Sequence, residues 1–472
     1  MTREQRKPGG RGPSGPPPRP KTPRTPPAKD PARQAAFDTL RAITERDAYA
    51  NLALPALLAE RRISGRDAAL ATELCYGTAR AVGLLDTVIA ACANRPLSTL
   101  DTAVLDGLRL GAYQLLRTRI PSHAAVSSTV DLIRAEAGSR SSGFVNAVLR
   151  KIADKDEATW LDELAPADKI EALALRTAHP KWIARAFGAA LGDGGAELEA
   201  ALRADDERPS VHLTARPGEI SADELAAISA GEPAPYSPYG VHLDSGDPGE
   251  LEPVRERLAH VQDEGSQLCA LALHRAELDQ DGGRWLDLCA GPGGKAALLG
   301  ALAGTEGARL DAVEQSAKRA GLVRQACEGL PVTVHVADGR DPGLEPGYDR
   351  VLVDAPCTGL GALRRRPEAR WRRDPSDVSE LTQLQRELLG TALGLVRPGG
   401  VVAYVVCSPH LPETVGVVAD ALRRNPEVSA LDARELFPGV PDLGPGPYVQ
   451  LWPHRHGTDA MFCAVLRRGD AR

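Results

Sequence analysis

No Cys-x-x-Cys pair occurs among the eight cysteines of this 472-residue chain, which argues against a disulfide framework and against a zinc site. Reduced thiols and no metal are expected. No apolar run approaches bilayer length and the first residues hold no hydrophobic signal core, so a cytoplasmic protein without a membrane partner is expected. Acids are nearly missing from the first thirty-odd residues, which are rich in Arg, Lys, Pro and Gly. Such a stretch cannot bury enough apolar surface to offset its chain entropy. Residues 1–30 are therefore expected to be a disordered tail, either merely solvating or an RNA-binding arm.

What is present has globular composition, 43% hydrophobic and 25% charged, and the length suggests two or three domains. The net charge of −6 argues weakly against nucleic acid, yet the charge is uneven. Arg364, Arg365, Arg366, Arg370, Arg372 and Arg373 form a second basic cluster, and local fields decide phosphate binding more than the total does.

From 31 to 154 apolar residues recur at three- and four-residue spacing, as in Ala36-Phe37-Leu40-Ile43, which predicts an all-α bundle of about seven helices. Residues 155–260 read as a small α+β connector, with a helix around Trp182–Phe187 and short strands at 210–214 and 240–243. Over 261–472 strand and helix alternate, which implies an α/β fold with a mostly parallel sheet and crossover helices. Late strands at 448–452 and 460–466 would close it as an antiparallel hairpin. This is the layout of a Rossmann-like, seven-stranded methyltransferase domain.

The loop Cys289-Ala290-Gly291-Pro292-Gly293-Gly294-Lys295 follows a strand candidate and opens a helix. Glycines let backbone pass close to a ligand, and the N–H groups of a helix start attract its polar end. Glu314 lies about twenty residues on, at the end of the next strand candidate, where an acid can hold both hydroxyls of a ribose. A dinucleotide loop or a plain tight turn are the alternatives. The loop departs from Gly-x-Gly-x-x-Gly and Pro292 would disturb a pyrophosphate cradle, so S-adenosylmethionine is expected rather than NAD. Asp338 is placed to accept from an adenine amino group, or else is a turn or helix-cap aspartate.

Asp354-Ala355-Pro356-Cys357 closes the fourth strand candidate and Cys407 the fifth, so both thiols should reach the ligand crevice of such a sheet. Carbon 5 of cytosine is too weak a nucleophile to take a methyl group unaided. A thiolate adding to carbon 6 turns the ring into an enamine whose carbon 5 can react. Asp354, protonated or sharing a proton with the base, would support charge at N3, and the second cysteine could assist release. Two buried structural cysteines are the plain alternative. Spacing does not say which cysteine attacks. The arginine cluster directly after Cys357 is either a solvated face or a grip on phosphates around an extruded nucleotide.

Together, Leu286-Asp-Leu-Cys-Ala-Gly-Pro-Gly-Gly-Lys295, Asp338-Gly-Arg340, Asp354-Ala-Pro-Cys357, Arg364-Arg-Arg-Pro-Glu-Ala-Arg-Trp371 and Cys407-Ser408 resemble the RNA 5-methylcytosine methyltransferases. The helical segment ending in Phe144-Val-Asn-Ala-Val-Leu-Arg150 resembles a NusB-type RNA-binding domain, a combination similar to the RsmB (Fmu, Sun) family, which modifies small-subunit ribosomal RNA. The resemblance implies Cys407 as nucleophile, Cys357 as the residue that releases product, and Asp354 as the contact to the base. It implies that Cys289 to Lys295, Glu314, Asp338 and Asp354 line the cofactor site, that Lys295 faces the reaction centre, and that Arg319 matches a basic position beyond the ribose acid. The family's Pro-Glu-Glu-Asn after the nucleophile is replaced by Ser-Pro-His-Leu-Pro-Glu-Thr414, which shifts the match of Glu413. A monomer is expected. Two other functions fit parts of the chain: a DNA cytosine-5 methyltransferase in which Cys357 attacks, and a non-catalytic RNA-binding factor.

Overall fold

The computed structural model of the chain describes residues 30–192, 194–244 and 246–469, so the tail expected over the first thirty residues falls outside them apart from Asp30. Asp30 caps the first helix by accepting from the Arg33 amide, and Pro31 occupies the first turn, where its missing N–H costs nothing. The helices are α1 (Pro31–Arg46), α2 (Ala50–Glu60), α3 (Gly65–Arg80), α4 (Val82–Cys92), α5 (Thr102–Arg117) and α6 (Ser122–Ile152). α6 bends at Gly138, whose φ of 83° is not helical, and counting its two arms gives the seven rods that the periodicity predicts. Phe37, Leu74, Leu85, Leu108, Ile133 and Leu149 meet in one apolar cluster. Trp160 and Leu161 from α7 (Glu157–Leu164) enter the same cluster, so this core extends beyond the predicted helical segment.

The next stretch is more helical than its sequence suggests: α8 (Lys169–Arg176), α9 (Lys181–Leu191) and α10 (Leu198–Asp206) follow before any strand. A small antiparallel sheet of order β2-β3-β1-β4 comes next, from β1 (Val211–Ala215), β2 (Glu232–Pro233), β3 (Gly240–Leu243) and β4 (Ala259–Val261). Leu213, Ala215, Val241 and Leu243 pack its inner face against Leu225.

The large sheet contains β5 (Arg284–Asp287), β6 (Arg309–Val313), β7 (Val332–His335), β8 (Tyr348–Asp354), β9 (Val396–Val406), β10 (Val428–Ala430), β11 (Val449–Gln450) and β12 (Phe462–Arg468). Its order is β10-β12-β9-β8-β5-β6-β7, with β11 paired to β12 outside that path. The run from β9 through β8, β5 and β6 to β7 is parallel, and β12 is antiparallel to β9. Side chains alternate between two buried layers: Leu352, Ala403 and Val405 face one cluster, whereas Val351, Val353, Tyr404 and Val406 face the other. The helices Glu264–Arg275 and Gly294–Glu306 cover the first layer, and Asp377–Leu395 and Val415–Arg424 the second.

One edge differs from expectation. The predicted hairpin exists only as the two-residue β11 against β12, and the outer neighbour of β12 is β10. A three-residue strand carries too little alternation to be seen in sequence. Among the described residues no single helix is long and apolar enough to cross a membrane.

Candidate active site

Strand order reverses at β5, with β6 and β7 on one side and β8 and β9 on the other. In such sheets the ligand crevice lies beyond the carboxyl ends of the strands at the reversal. β5 runs into the glycine loop, β6 into Glu314, β7 towards Asp338, β8 ends at Asp354, and β9 into Cys407. A cavity of about 540 Å³ opens there, and Cys289, Gly291, Pro292, Glu314, Arg319, Asp338, Asp354, Cys357 and Cys407 all line it. Ala290, Gly293, Gly294 and Lys295 do not; they form the turn and helix start behind it.

The glycine loop is shaped by close approach. A Cβ on Gly291 would lie 2.2 Å from Glu314 Oε2, and Gly293, at φ +119°, would push one against the Val323 backbone. Glu314 accepts from the Gly291 amide at 3.1 Å and from the Ser316 amide at 2.8 Å. Arg319 donates to the Gly291 carbonyl and lies 3.5 Å from Glu314. Asp338 is both a cavity residue and a turn aspartate: it accepts from the Arg340 amide at 2.9 Å and pairs with the Arg340 guanidinium. Behind the loop, Asp287 accepts from the Cys289 amide, while its Oδ2 is buried with no protein partner. Burial, and then the nearby Asp354 carboxylate, pushes the Asp287 carboxyl up to about 7.

The two sulfur atoms of Cys357 and Cys407 are 3.4 Å apart. Their surroundings are unequal. The hydrogen bond from Cys357, together with the cations Lys295 and Arg366, lowers the Cys407 thiol below its ordinary value against the opposing effects of burial and Asp354. The same hydrogen bond, burial and the Glu413 carboxylate drive Cys357 well up. The pair thus favours a thiolate on Cys407 and a thiol on Cys357. Lys295 Nζ donates to Asp354 Oδ2 at 2.8 Å. Burial works against the charge on Lys295, but the Asp354 carboxylate outweighs it and holds the ammonium above its usual range.

Glu413 is the residue whose shifted match leaves its role unread in the sequence. It is buried, and Oε1 accepts from the Thr358 amide at 2.7 Å while Oε2 accepts from Thr358 Oγ1 at 2.5 Å and Ser408 Oγ at 2.7 Å. Gln385 donates to the same carboxylate at 3.2 Å. One acid therefore ties the residue after Cys357 to the residue after Cys407. Thr358, Ser408 and Gln385 are site residues that sequence reasoning misses, because only their convergence on Glu413 gives them a role.

The arginine expectation needs correction. Arg370 is 0% exposed and lies among Asp205, Asp206 and the Ala178 carbonyl, with His179 bonded to the same Asp205. Arg364 is buried against Asp459 and the Gly457 carbonyl, and Arg365 bonds Asp263, Asp459 and the Ser210 carbonyl. These three are internal struts and do not grip phosphate; a buried guanidinium persists only with such partners. Arg372 commits Nη2 to the Ile43 and Ala48 carbonyls, although it borders the cavity. Arg366 borders the cavity with no hydrogen bond or ion pair from its guanidinium among the described residues.

Comparison with known proteins gives the family and the fold. A model of the 16S rRNA methyltransferase RsmB/F family matches residues 274–467, and a NusB family model matches residues 30–154. The Mycobacterium tuberculosis protein Rv1407, provisionally named a methyltransferase, is 63% identical over 93% of this chain and 97% of its own length. Ribosomal RNA small subunit methyltransferase B of Salmonella paratyphi A is 31% identical over 92% of this chain and 98% of its own. The crystal structure of PH0851 superposes with a TM-score of 0.78 at 23% identity, covering 93% of this chain and 99% of that one, which supports the same fold. The chain belongs to the RsmB/F family of 16S rRNA methyltransferases, with a NusB-family region ahead of the methyltransferase fold.

Proposed function

We propose that the chain methylates carbon 5 of a cytosine in 16S ribosomal RNA through a covalent bond between Cys407 and the base, using S-adenosylmethionine. One observation carries the reading: two thiols at the ends of adjacent strands, 3.4 Å apart, with cations beside Cys407 and a carboxylate beside Cys357. The cavity residues suit the cofactor. Glu314 would hold ribose hydroxyls, Asp338 the adenine amino group, and the Cys289–Pro292 turn the amino-acid end. A Gly291 Cβ would collide with Glu314, so the bare glycine lets that acid stand at the cavity wall beside the loop. When bound, S-adenosylmethionine supplies an electrophilic methyl group.

Cys407, as thiolate, adds to carbon 6 and forms the S–C6 bond, and the displaced electron pair makes carbon 5 nucleophilic. Asp354, which accepts from Lys295, would meet the polar edge of the base and share a proton with N3, so that the negative charge developing there on attack is neutralised, with the Lys295 ammonium beside the carboxylate. After methylation the carbon 5 proton passes to a base, either water or Cys357 once it has lost its own proton to solvent. The C5–H electron pair re-forms the C5=C6 double bond, and the C6–S bond breaks with its pair returning to Cys407 as thiolate. Cys357 lies beside the departing sulfur, where it can pass a proton to or from the reacting pair. The DNA-enzyme reading leaves Cys407 idle, and a non-catalytic factor leaves the unequal thiol pair without a role. On this reading the protein works on RNA in the cytoplasm as a monomer.

The test uses unmodified small-subunit RNA and labelled S-adenosylmethionine. Cys407→Ala is expected to lose both methyl transfer and the denaturation-resistant RNA adduct, and Cys357→Ala to accumulate that adduct. Exchange of the two outcomes would overturn the assignment of nucleophile.

A further inference from the structure

The cavity is not built by the methyltransferase fold alone. Asp47 and Tyr49, from the turn between α1 and α2 of the helical region, also line it. That turn is clamped by the segment following Cys357. Arg372 donates to the Ala48 carbonyl at 2.5 Å, and the Glu368 carboxylate accepts from the Ala50 amide at 3.3 Å, so the backbone is held on both sides of Tyr49. The side chain between these anchors is not buried: Tyr49 is 46% exposed, and its neighbour Leu52 is 67% exposed. The guanidinium of Arg366 stands 5.6 Å from the Tyr49 ring centre and that of Arg372 5.5 Å. Arg366 has no acid or carbonyl partner among the described residues, whereas the buried Arg364 and Arg370 on either side of it in sequence are each held by carboxylates and backbone carbonyls.

We propose that Tyr49 is a base-stacking residue for the RNA substrate, so that the NusB-like region supplies one wall of the active site. The ligand is a single-stranded nucleotide flanking the target. Its base lies on the Tyr49 ring and its phosphate meets Arg366. The Tyr49 ring is held by the anchored backbone on both sides and presents an apolar face at the cavity mouth, on which a base can stack without sequence preference. Extruding the target cytosine breaks its stacking with the neighbouring base, and a protein ring next to the pocket replaces that contact. The inference rests on the proposed RNA substrate.

The test is RNA binding by the full-length protein without cofactor, together with steady-state methylation. Tyr49→Ala and Tyr49→Leu are expected to weaken RNA binding and raise the RNA KM by about 5- to 100-fold, the range of a lost base–aromatic stack. The S-adenosylmethionine KM should stay unchanged. Tyr49→Phe, which keeps the ring, should recover most of the loss. The slope of log affinity against log salt should be the same in Tyr49→Ala as in the native chain, whereas Arg366→Ala should lower it by about one phosphate contact. RNA affinity of Tyr49→Ala within twofold of native would overturn the proposal. So would a Tyr49→Phe variant as weak as the alanine one, or a salt slope in Tyr49→Ala that falls as in Arg366→Ala, since the ring would then only hold a charge in place. If the native chain binds RNA but transfers no methyl group, the proposed function fails while the binding arm still decides the role of Tyr49.

Discussion

At the scale of single residues, the sequence leaves open which of two cysteines would attack, and the proposed assignment rests on what surrounds each sulfur. Cys407 shares its space with Lys295 and Arg366, and Cys357 with Glu413. Lys295 is far from both cysteines in sequence, and the other two partners are crossed: Arg366 follows Cys357 but acts on Cys407, and Glu413 follows Cys407 but acts on Cys357, so spacing alone could not rank them. Removing a cation should therefore change the pH profile. The Cys407 thiol lies below its ordinary value, and the proposed reaction needs the thiolate, so kcat should rise with pH through that lowered value and level off above it. Lys295→Met keeps the length of the side chain and deletes the charge. Less thiolate then exists at any given pH, so the rising limb should move to higher pH and kcat near pH 7 should fall by roughly tenfold or more. A rising limb at the same pH in Lys295→Met would mean that the ammonium does not tune the sulfur.

At the scale of elements, the strands that run into the cavity are legible because they obey two strong signals. They are apolar runs of strand length, and each ends in a residue type that a ligand crevice uses, as with Asp354 at the end of β8 and Cys407 just past β9. The short helices α7 and α8 were not legible. Each is eight residues long, starts on an aspartate cap (Asp156 or Asp168), and offers too few turns for periodicity to show. The link between the two cysteine loops was equally hidden, because Glu413 reaches Thr358 across fifty-five positions of sequence. Glu413→Ala would strip the Thr358 amide, two hydroxyl groups and Gln385 of their shared acceptor in a buried site. An unsatisfied buried donor costs about 1–3 kcal/mol. The expected result is a fall in kcat of about a hundredfold, with loosened cysteine loops, while the S-adenosylmethionine KM changes little. Glu413→Gln keeps one acceptor oxygen and should lose less. A kcat for Glu413→Ala near the native value would show that the loops hold their positions without the brace.

At the scale of the whole molecule, the segment after Cys357 is the joint between regions. Trp371 donates to the Arg80 carbonyl at 3.2 Å and packs so closely on α4 that a Cβ at Gly83 would lie 2.2 Å from its ring. Arg80 in turn donates to the Arg364 carbonyl, and Arg370 locks onto the end of α10. A run of arginines in sequence suggests solvent or phosphate, and it does not suggest internal struts, because the acids that receive them lie 94 to 165 residues away. The two kinds of arginine separate in one comparison. Arg370→Met removes a buried guanidinium and leaves Asp205 and His179 facing each other with the cation gone. Breaking a buried pair by deleting one partner costs about 3–5 kcal/mol, so this variant should unfold at markedly lower temperature or denaturant. Its salt slope for RNA binding, measured where it is folded, should match the native chain, because Arg370 touches no phosphate. Arg366→Ala should do the reverse, with nearly native stability and a shallower salt slope. If Arg370→Met instead kept native stability and bound RNA with a reduced salt slope, its burial between the regions would not be its role, and the corrected assignment of the arginine run would fall.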